Sequence, residues 1–137
     1  MPMKTDIIVD TNIFLYALDD QNIYHSRAVA FLNDNTYILF MTTKNISEYF
    51  AVASKLNIDF TKAFNFYKQV CENTITLYPN HKSLIIFESL LQKYKPRGNK
   101  VFDLEIVSIA LAHTLPTIAT VNRKDFDSFS EITVLDI

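Results

Sequence analysis

The sequence predicts an α/β domain of three layers, in which a mainly parallel sheet of about five strands lies between two layers of helices. Short segments rich in β-branched and aromatic residues alternate with helical periodicities along the whole chain. No two-residue hairpin turn joins any pair of these segments, as parallel strands require. With 137 residues, of which 49% are hydrophobic, the chain is sized for one domain (residues 1–137) with a single core.

The first half of the chain begins this alternation. The second predicted strand is continuously apolar, which is typical of a strand covered on both faces. Thr42 and Thr43 can cap the following helix, and Asp59 can cap the one after it. The predicted segments are a strand at Asp6–Val9, helices at about Asn12–Leu18 and Tyr24–Leu32, a strand at Tyr37–Met41, a helix carrying Ile46, Tyr49, Phe50 and Ala53, and a helix carrying Ala63, Phe64, Tyr67, Val70 and Cys71.

The second half repeats the pattern. Pro79 ends one strand and Asn80 can open the next helix. The predicted segments are a strand at Thr74–Tyr78, a helix through Leu91, a loop at Lys93–Lys100, a helix from Phe102 to Leu111, and strands at Thr117–Val121 and Ile132–Leu135.

Composition narrows the class of protein. The net charge of −2 argues against binding nucleic acid by bulk positive potential alone. The single cysteine, Cys71, cannot form an internal disulfide, which suits a reducing compartment. No segment approaches the roughly 20 apolar residues of a membrane span, so we expect a cytoplasmic protein without a membrane anchor. His25, His81 and His113 are dispersed and are expected to be structural or surface residues.

Acidic and amide side chains follow the predicted strand ends. Asp10 and Asn122 come directly after strands, Glu48 lies within about two turns of another strand end, and Asp103 begins a helix. The carboxyl ends of parallel strands share one edge of the sheet, so these groups can converge. Clustered carboxylates repel one another unless a cation lies between them. Oxygen ligands without a histidine or cysteine cluster favour Mg²⁺ or Mn²⁺.

Four motifs in this order and spacing resemble the PIN-domain ribonucleases, and among them the VapC-like toxins of type II toxin–antitoxin pairs. They are Val9-Asp10-Thr11-Asn12, the helical Ser47-Glu48, the helix that Asp103 opens with Leu104 and Glu105, and Thr120-Val121-Asn122-Arg123-Lys124-Asp125-Phe126. The resemblance extends over essentially the whole chain.

The resemblance implies roles for individual positions. Asp10, Glu48 and Asp103 match the three acids that bind the metal, and Asn122 matches the fourth position of the site. Asp125 is the acid nearest that position, and whether it reaches the metal or supports the loop is left open. The neighbouring Thr11, Asn12 and Thr120 would support the ligands.

The resemblance also implies Mg²⁺- or Mn²⁺-dependent endonucleolytic cleavage of RNA, homodimerisation, and inhibition by a small antitoxin protein. An acidic centre that binds RNA needs a basic rim. The rim candidates are Lys95, Arg97, Lys100, Arg123 and Lys124. Phe60, Phe64, Phe66 and Tyr67 are expected in the core or at a subunit contact rather than under RNA bases.

Simpler interpretations of the acids are compatible with the same residues. Asp10 could cap the following helix through its side chain. Glu48 could be a solvated carboxylate that pairs with Lys44 or Lys55. Asp103 could be a first-turn acid favoured by the helix dipole.

The motifs also leave room for different functions. A phosphatase of the haloacid-dehalogenase type begins with Asp after its first strand as well, but Asn12 replaces the second acid of the Asp-x-Asp motif that such enzymes use. The chain could also be a solitary PIN-domain RNA-processing nuclease, or a catalytically inactive PIN-like module that binds proteins. An intact set of Asp10, Glu48 and Asp103 argues against the inactive module.

Overall fold

A five-stranded parallel sheet forms the centre of the molecule. The computed structural model describes residues 3–137. The strand order is β3-β2-β1-β4-β5, and all four neighbouring pairs are parallel, which confirms the predicted sheet. The strands are β1 (Thr5–Val9), β2 (Tyr37–Thr42), β3 (Thr74–Leu77), β4 (Thr117–Thr120) and β5 (Thr133–Asp136).

Helices cover both faces of the sheet. Successive side chains of a strand point to opposite faces. Ile7 and Val9 accordingly pack with α1 to α4, and Ile8 packs with α5 and α6. The three-layer prediction is therefore confirmed. The helices within residues 3–137 are α1 (Thr11–Leu18), α2 (His25–Leu32), α3 (Thr43–Lys55), α4 (Phe60–Glu72), α5 (His81–Tyr94) and α6 (Lys100–Ala112).

Most predicted boundaries fall within a residue or two of those observed, but the loop predicted at Lys93–Lys100 is shorter. Helix α5 continues through Tyr94, and α6 already begins at Lys100. Lys95 ends α5 in the left-handed conformation, with φ of 48°. Pro96 follows it, and the residue before a proline is disfavoured in a helix. A 3₁₀ turn at Arg123–Asp125 was not predicted.

The strand order defines where a ligand can bind. The chain runs from β1 through β2 to β3 at one edge, then returns to place β4 on the other side of β1. The carboxyl ends of β1 and β4 therefore flank a topological switch point, the place where open α/β sheets leave a crevice. Among the helices of residues 3–137, none is long and apolar enough to cross a membrane.

We predict that Phe126→Ala lowers the free energy of unfolding by about 3–5 kcal/mol, because it leaves a cavity in the core beneath α5 and α6. Phe126 is fully buried in that core. The matched control is Tyr78→Ala, since the aromatic side chain of Tyr78 is 66% exposed. The control should cost less than about 1 kcal/mol. Urea unfolding of both variants measures the difference, and equal losses would contradict this assignment of the core.

Candidate metal centre

Asp10 lies at the switch point, directly after β1. It occupies the N-cap position of α1, yet its side chain makes no capping hydrogen bond. Instead, its Oδ2 accepts a hydrogen bond of 2.8 Å from the hydroxyl of Thr120, at the end of β4. Asp10 is only 5% exposed and Thr120 is fully buried. The side chain of Asp10 is thus held toward the crevice between the two strands rather than used as a helix cap.

The turn after β4 is organised around the same threonine. The backbone N–H of Asn122 donates to Thr120 Oγ1 at 3.0 Å. The side-chain amide of Asn122 then donates to Asp125 Oδ1 at 3.2 Å. The two residues proposed from sequence for the fourth position are therefore in contact, and the amide holds the carboxylate in place.

Glu48 enters the site from α3. Burial raises the pKa of its carboxyl group, and repulsion from Glu105 and Asp125 adds to this, while the charge of Lys44 opposes it. Its Oε1 is buried without a hydrogen-bond partner, the one such side-chain atom within residues 3–137. The alternative pairing of Glu48 with Lys44 or Lys55 is not among the ion pairs of residues 3–137.

Asp103 lies in the first turn of α6, as predicted, and is half-buried. The start of α6 is tied to the turn after β4 by Lys100. Its Nζ donates to the backbone carbonyls of Lys124 at 2.9 Å and Asp125 at 2.7 Å. The ammonium group that the sequence places on an RNA-binding rim is here engaged within the protein, and its charge offsets a small part of the rise in the pKa of Asp103 that burial causes.

The four carboxylates interact electrostatically. Burial raises the pKa of Asp10 to about 6, with the Thr120 hydrogen bond opposing it and repulsion from Asp125 and Glu48 adding to it. Burial also raises the pKa of Asp103 to about 7, with repulsion from Asp125, Asp10 and Glu48. Asp125 exerts the largest repulsion on both groups. The acid that the sequence left uncertain is thus part of the same charged cluster.

This donor set fits a hard divalent cation. The cluster offers carboxylate and amide oxygens, and the orphaned Oε1 of Glu48 is a buried acceptor that a cation would satisfy. As the side chains of residues 3–137 stand, no three acidic, histidine or cysteine groups are close enough to hold one ion together.

Two residues beside the site carried no functional assignment from sequence. Asn45 is fully buried one turn before Glu48, and its amide donates to Thr11 Oγ1 at 2.9 Å. Burial raises the pKa of Tyr16, and the charges of Asp10 and Asp125 add to the shift. The bond of Asn45 joins segments 34 residues apart, for which the local sequence gives no signal.

The remaining predicted residues lie around the cluster. Thr11 is buried and Asn12 half-buried at the start of α1. The basic candidates are exposed in two segments, the loop before α6 (Lys95 and Arg97) and the 3₁₀ turn (Arg123 and Lys124). His25 and His113 each contact a backbone carbonyl, of Tyr16 and Tyr78 respectively, in keeping with their expected structural role.

The family model of the PIN domain matches residues 7–132. The chain belongs to the PIN domain family. The match includes all four acids of the PIN-domain cluster described above. No curated protein is similar enough to the chain to count as a match.

Solved structures with the same fold include several from toxin–antitoxin systems. VapBC2 from Rickettsia felis, bound to a DNA fragment from its promoter, has a TM-score of 0.72 at 19% identity and covers 97% of this chain and 99% of that one. VapBC-1 from nontypeable Haemophilus influenzae has a TM-score of 0.69 at 24% sequence identity, and the match covers 96% of this chain and 98% of that one. VapC20 from Mycobacterium tuberculosis, a sarcin–ricin loop cleaving toxin, has a TM-score of 0.73 at 9% sequence identity. That match covers 90% of this chain and 95% of the toxin.

We predict that the metal-free protein becomes less stable as the pH rises from about 4 to about 7. The pKa values of Asp10 and Asp103 are raised from an ordinary 3.8 to about 6 and about 7, so the folded state binds more protons than the unfolded state over that range. Asp10→Asn should raise the free energy of unfolding at pH 8 by about 1–3 kcal/mol, because it removes a carboxylate that is charged and buried at that pH. Its advantage should shrink toward pH 4, where the native carboxyl group is neutral.

Thermal unfolding in a chelating buffer at several pH values measures both effects. Saturation with Mg²⁺ should make the stability of the parent protein less dependent on pH. A stability that rises between pH 4 and 7 in the metal-free protein would contradict the charged cluster.

Proposed function

We propose that this PIN-domain protein is a metal-dependent endoribonuclease in which Asp10, Glu48 and Asp103 bind Mg²⁺ or Mn²⁺. The observation that carries the proposal is the pooling of four mutually repelling carboxylates at the switch point of a parallel sheet, where burial holds two of them near neutral pKa values. Keeping such a cluster costs stability unless a cation offsets its charge.

A divalent cation bound there would supply the positive charge that acidifies a water molecule and stabilises charge developing on a phosphodiester. The protein's own groups orient the site. The hydroxyl of Thr120 fixes Asp10 through Oδ2, and the amide of Asn122 holds Asp125. In-line attack by water then needs no covalent intermediate on the protein.

RNA as the substrate and a toxin role rest on the family and on the kinds of protein that share the fold. One similar structure is a toxin that cleaves the sarcin–ricin loop, and others are complexes of a VapC toxin with its antitoxin. The present chain spans nearly the full length of each. We therefore propose that it is the toxin of a toxin–antitoxin pair, acts in the cytoplasm and is inhibited by a small partner protein.

An exposed aromatic patch on α3 and α4 supports a homodimer. Phe50, Phe60 and Phe64 form this patch, with ring centroids 5.7 to 6.3 Å apart. Phe60 is 68% exposed and Phe64 41% exposed. Contiguous exposed apolar groups of this kind are typical of protein contact surfaces. The sequence prediction of a subunit contact in this region stays a proposal.

We predict that expression of the parent protein in a bacterial host arrests growth and produces discrete RNA fragments, whereas Asp10→Asn does neither. The substitution keeps an acceptor for Thr120 but removes the charge that would bind the cation. Growth curves and total RNA profiles from matched expression levels measure the outcome. A chelator should stop cleavage by the purified parent protein.

Equal cleavage by the parent and Asp10→Asn would refute the site assignment. Absence of any cleavage with Mg²⁺ or Mn²⁺ present would favour a protein-binding module instead. Co-purification of a small partner chain, encoded beside the protein, would separate a toxin from a solitary RNA-processing nuclease.

We also predict that replacing Lys95 and Arg97 by Gln weakens RNA binding roughly ten-fold at low salt and lowers the salt dependence of the affinity, because phosphate contacts release counterions. The Asp10→Asn background prevents cleavage during titration with a fluorescent single-stranded RNA. The matched control is the double replacement of Lys62 and Lys68 by Gln, two exposed cations on α4. If the two double variants lose RNA affinity equally, the assignment of Lys95 and Arg97 to an RNA-binding rim is refuted.

A further inference from the structure

A buried polar cluster lies beneath the acids and is formed by Thr11, Thr42 and Asn45. All three side chains are at most 3% exposed. They join the first residue of α1, the N-cap of α3 and the third residue of α3. Buried polar groups are stable only when hydrogen-bonded, so each contact here has a structural reason.

Asn45 is the centre of this cluster. Its Oδ1 accepts hydrogen bonds from the backbone N–H of Thr42 at 2.7 Å and from the Thr42 hydroxyl at 2.8 Å. The backbone N–H of Asn45 donates back to Thr42 Oγ1 at 3.2 Å, which completes a capping box. The side-chain nitrogen remains, and it donates to Thr11 Oγ1 at 2.9 Å.

The capping box alone does not require an asparagine. Helix α5 has the same box, closed by Ser83 at the equivalent position, where the hydroxyl accepts from the backbone N–H of Asn80 at 2.8 Å. Helix α5 carries none of the four acids of the cluster. The extra donor in α3 thus serves the bond to Thr11, which a serine at position 45 is too short to make.

That bond joins the two helices that carry Asp10 and Glu48. Thr11 follows Asp10 directly, and Glu48 lies one turn after Asn45, on the same side of α3. On its other side, Asp10 is fixed to β4 by the Thr120 hydroxyl and by its own backbone N–H, which donates to the carbonyl of Ala119 at 2.9 Å. Asp10 is therefore held relative to β4 by one set of bonds and relative to α3 through Asn45.

We propose that Asn45 is a positioning residue that sets the spacing between Asp10 and Glu48 through its hydrogen bond to Thr11, and thereby tunes the affinity of the site for a divalent cation. The inference rests on the proposed metal-dependent function. Groups that orient metal ligands without touching the metal commonly change metal affinity by 10–100-fold when removed.

Two substitutions break the link while preserving the capping box. Asn45→Ser keeps a hydroxyl that can close the box, as in α5, and Thr11→Val removes only the acceptor hydroxyl. Each should weaken Mn²⁺ binding, measured by titration calorimetry, by roughly ten-fold. Thr11→Ser retains the hydroxyl, and its affinity for Mn²⁺ should be within about two-fold of that of the parent protein. The double variant should lose little more than either single variant, because both break one bond.

Ser83→Ala is the matched control, since it breaks the capping box of α5, a helix that carries none of the four acids of the cluster. Thermal unfolding of the metal-free proteins reports the general cost of each change. Ser83→Ala should lower the melting temperature yet leave Mn²⁺ affinity unchanged. All affinities are compared at a temperature at which circular dichroism shows every variant folded.

The outcomes separate the two proposals. If the parent protein binds Mn²⁺ and both Asn45→Ser and Thr11→Val bind it equally well, the positioning role is refuted and the proposed function stands. If the loss of Mn²⁺ affinity in the double variant equals the product of the two single losses, the two residues act independently, and the positioning role is also refuted. If the parent protein binds no divalent cation at millimolar concentration, the metal-dependent function fails and the positioning role fails with it.

Discussion

Repulsion among buried and half-buried carboxylates is the constraint on which the rest of the site depends. Asp10, Glu48, Asp103 and Asp125 come from four segments, and repulsion from the other acids raises the pKa values of Asp10, Glu48 and Asp103. Neutral and cationic groups hold the segments together despite this repulsion. The hydroxyl of Thr120 joins β4 to β1, Asn45 joins α3 to α1, and Lys100 joins α6 to the turn after β4.

The fold could be predicted from the sequence because its signals are local and repeated. Apolar strand segments, cap residues and helical periodicities each occupy a short window, and their alternation already specifies a parallel sheet. The error at the loop before α6 also has a local cause. Charged residues through Lys100 indicated loop, but polar residues also occupy the exposed ends of helices, and only the backbone at Lys95 and Pro96 ends α5.

The acids of the site were predictable for a different reason from the groups that hold them. The carboxyl ends of parallel strands lie at one edge of the sheet, so the strand pattern places Asp10 and Asn122 at the same edge, and the pairing of β1 with β4 brings them close together. The bond from Asn45 to Thr11 spans 34 residues and follows from the packing of two helices. Lys100 illustrates the same limit. From the sequence, a basic residue near an acid is predicted to be exposed, whereas in the structure its ammonium group donates hydrogen bonds to two backbone carbonyls.

The contact between Thr120 and Asp10 joins residues 110 positions apart. It can form only after β4 has been made, because the loop that it closes includes most of the chain. During synthesis, a chain that has emerged only as far as β3 carries Asp10 and Glu48 but neither Thr120 nor Asp125. Under the proposed function, the order of synthesis keeps the reactive centre incomplete until β4 and the turn after it have been translated.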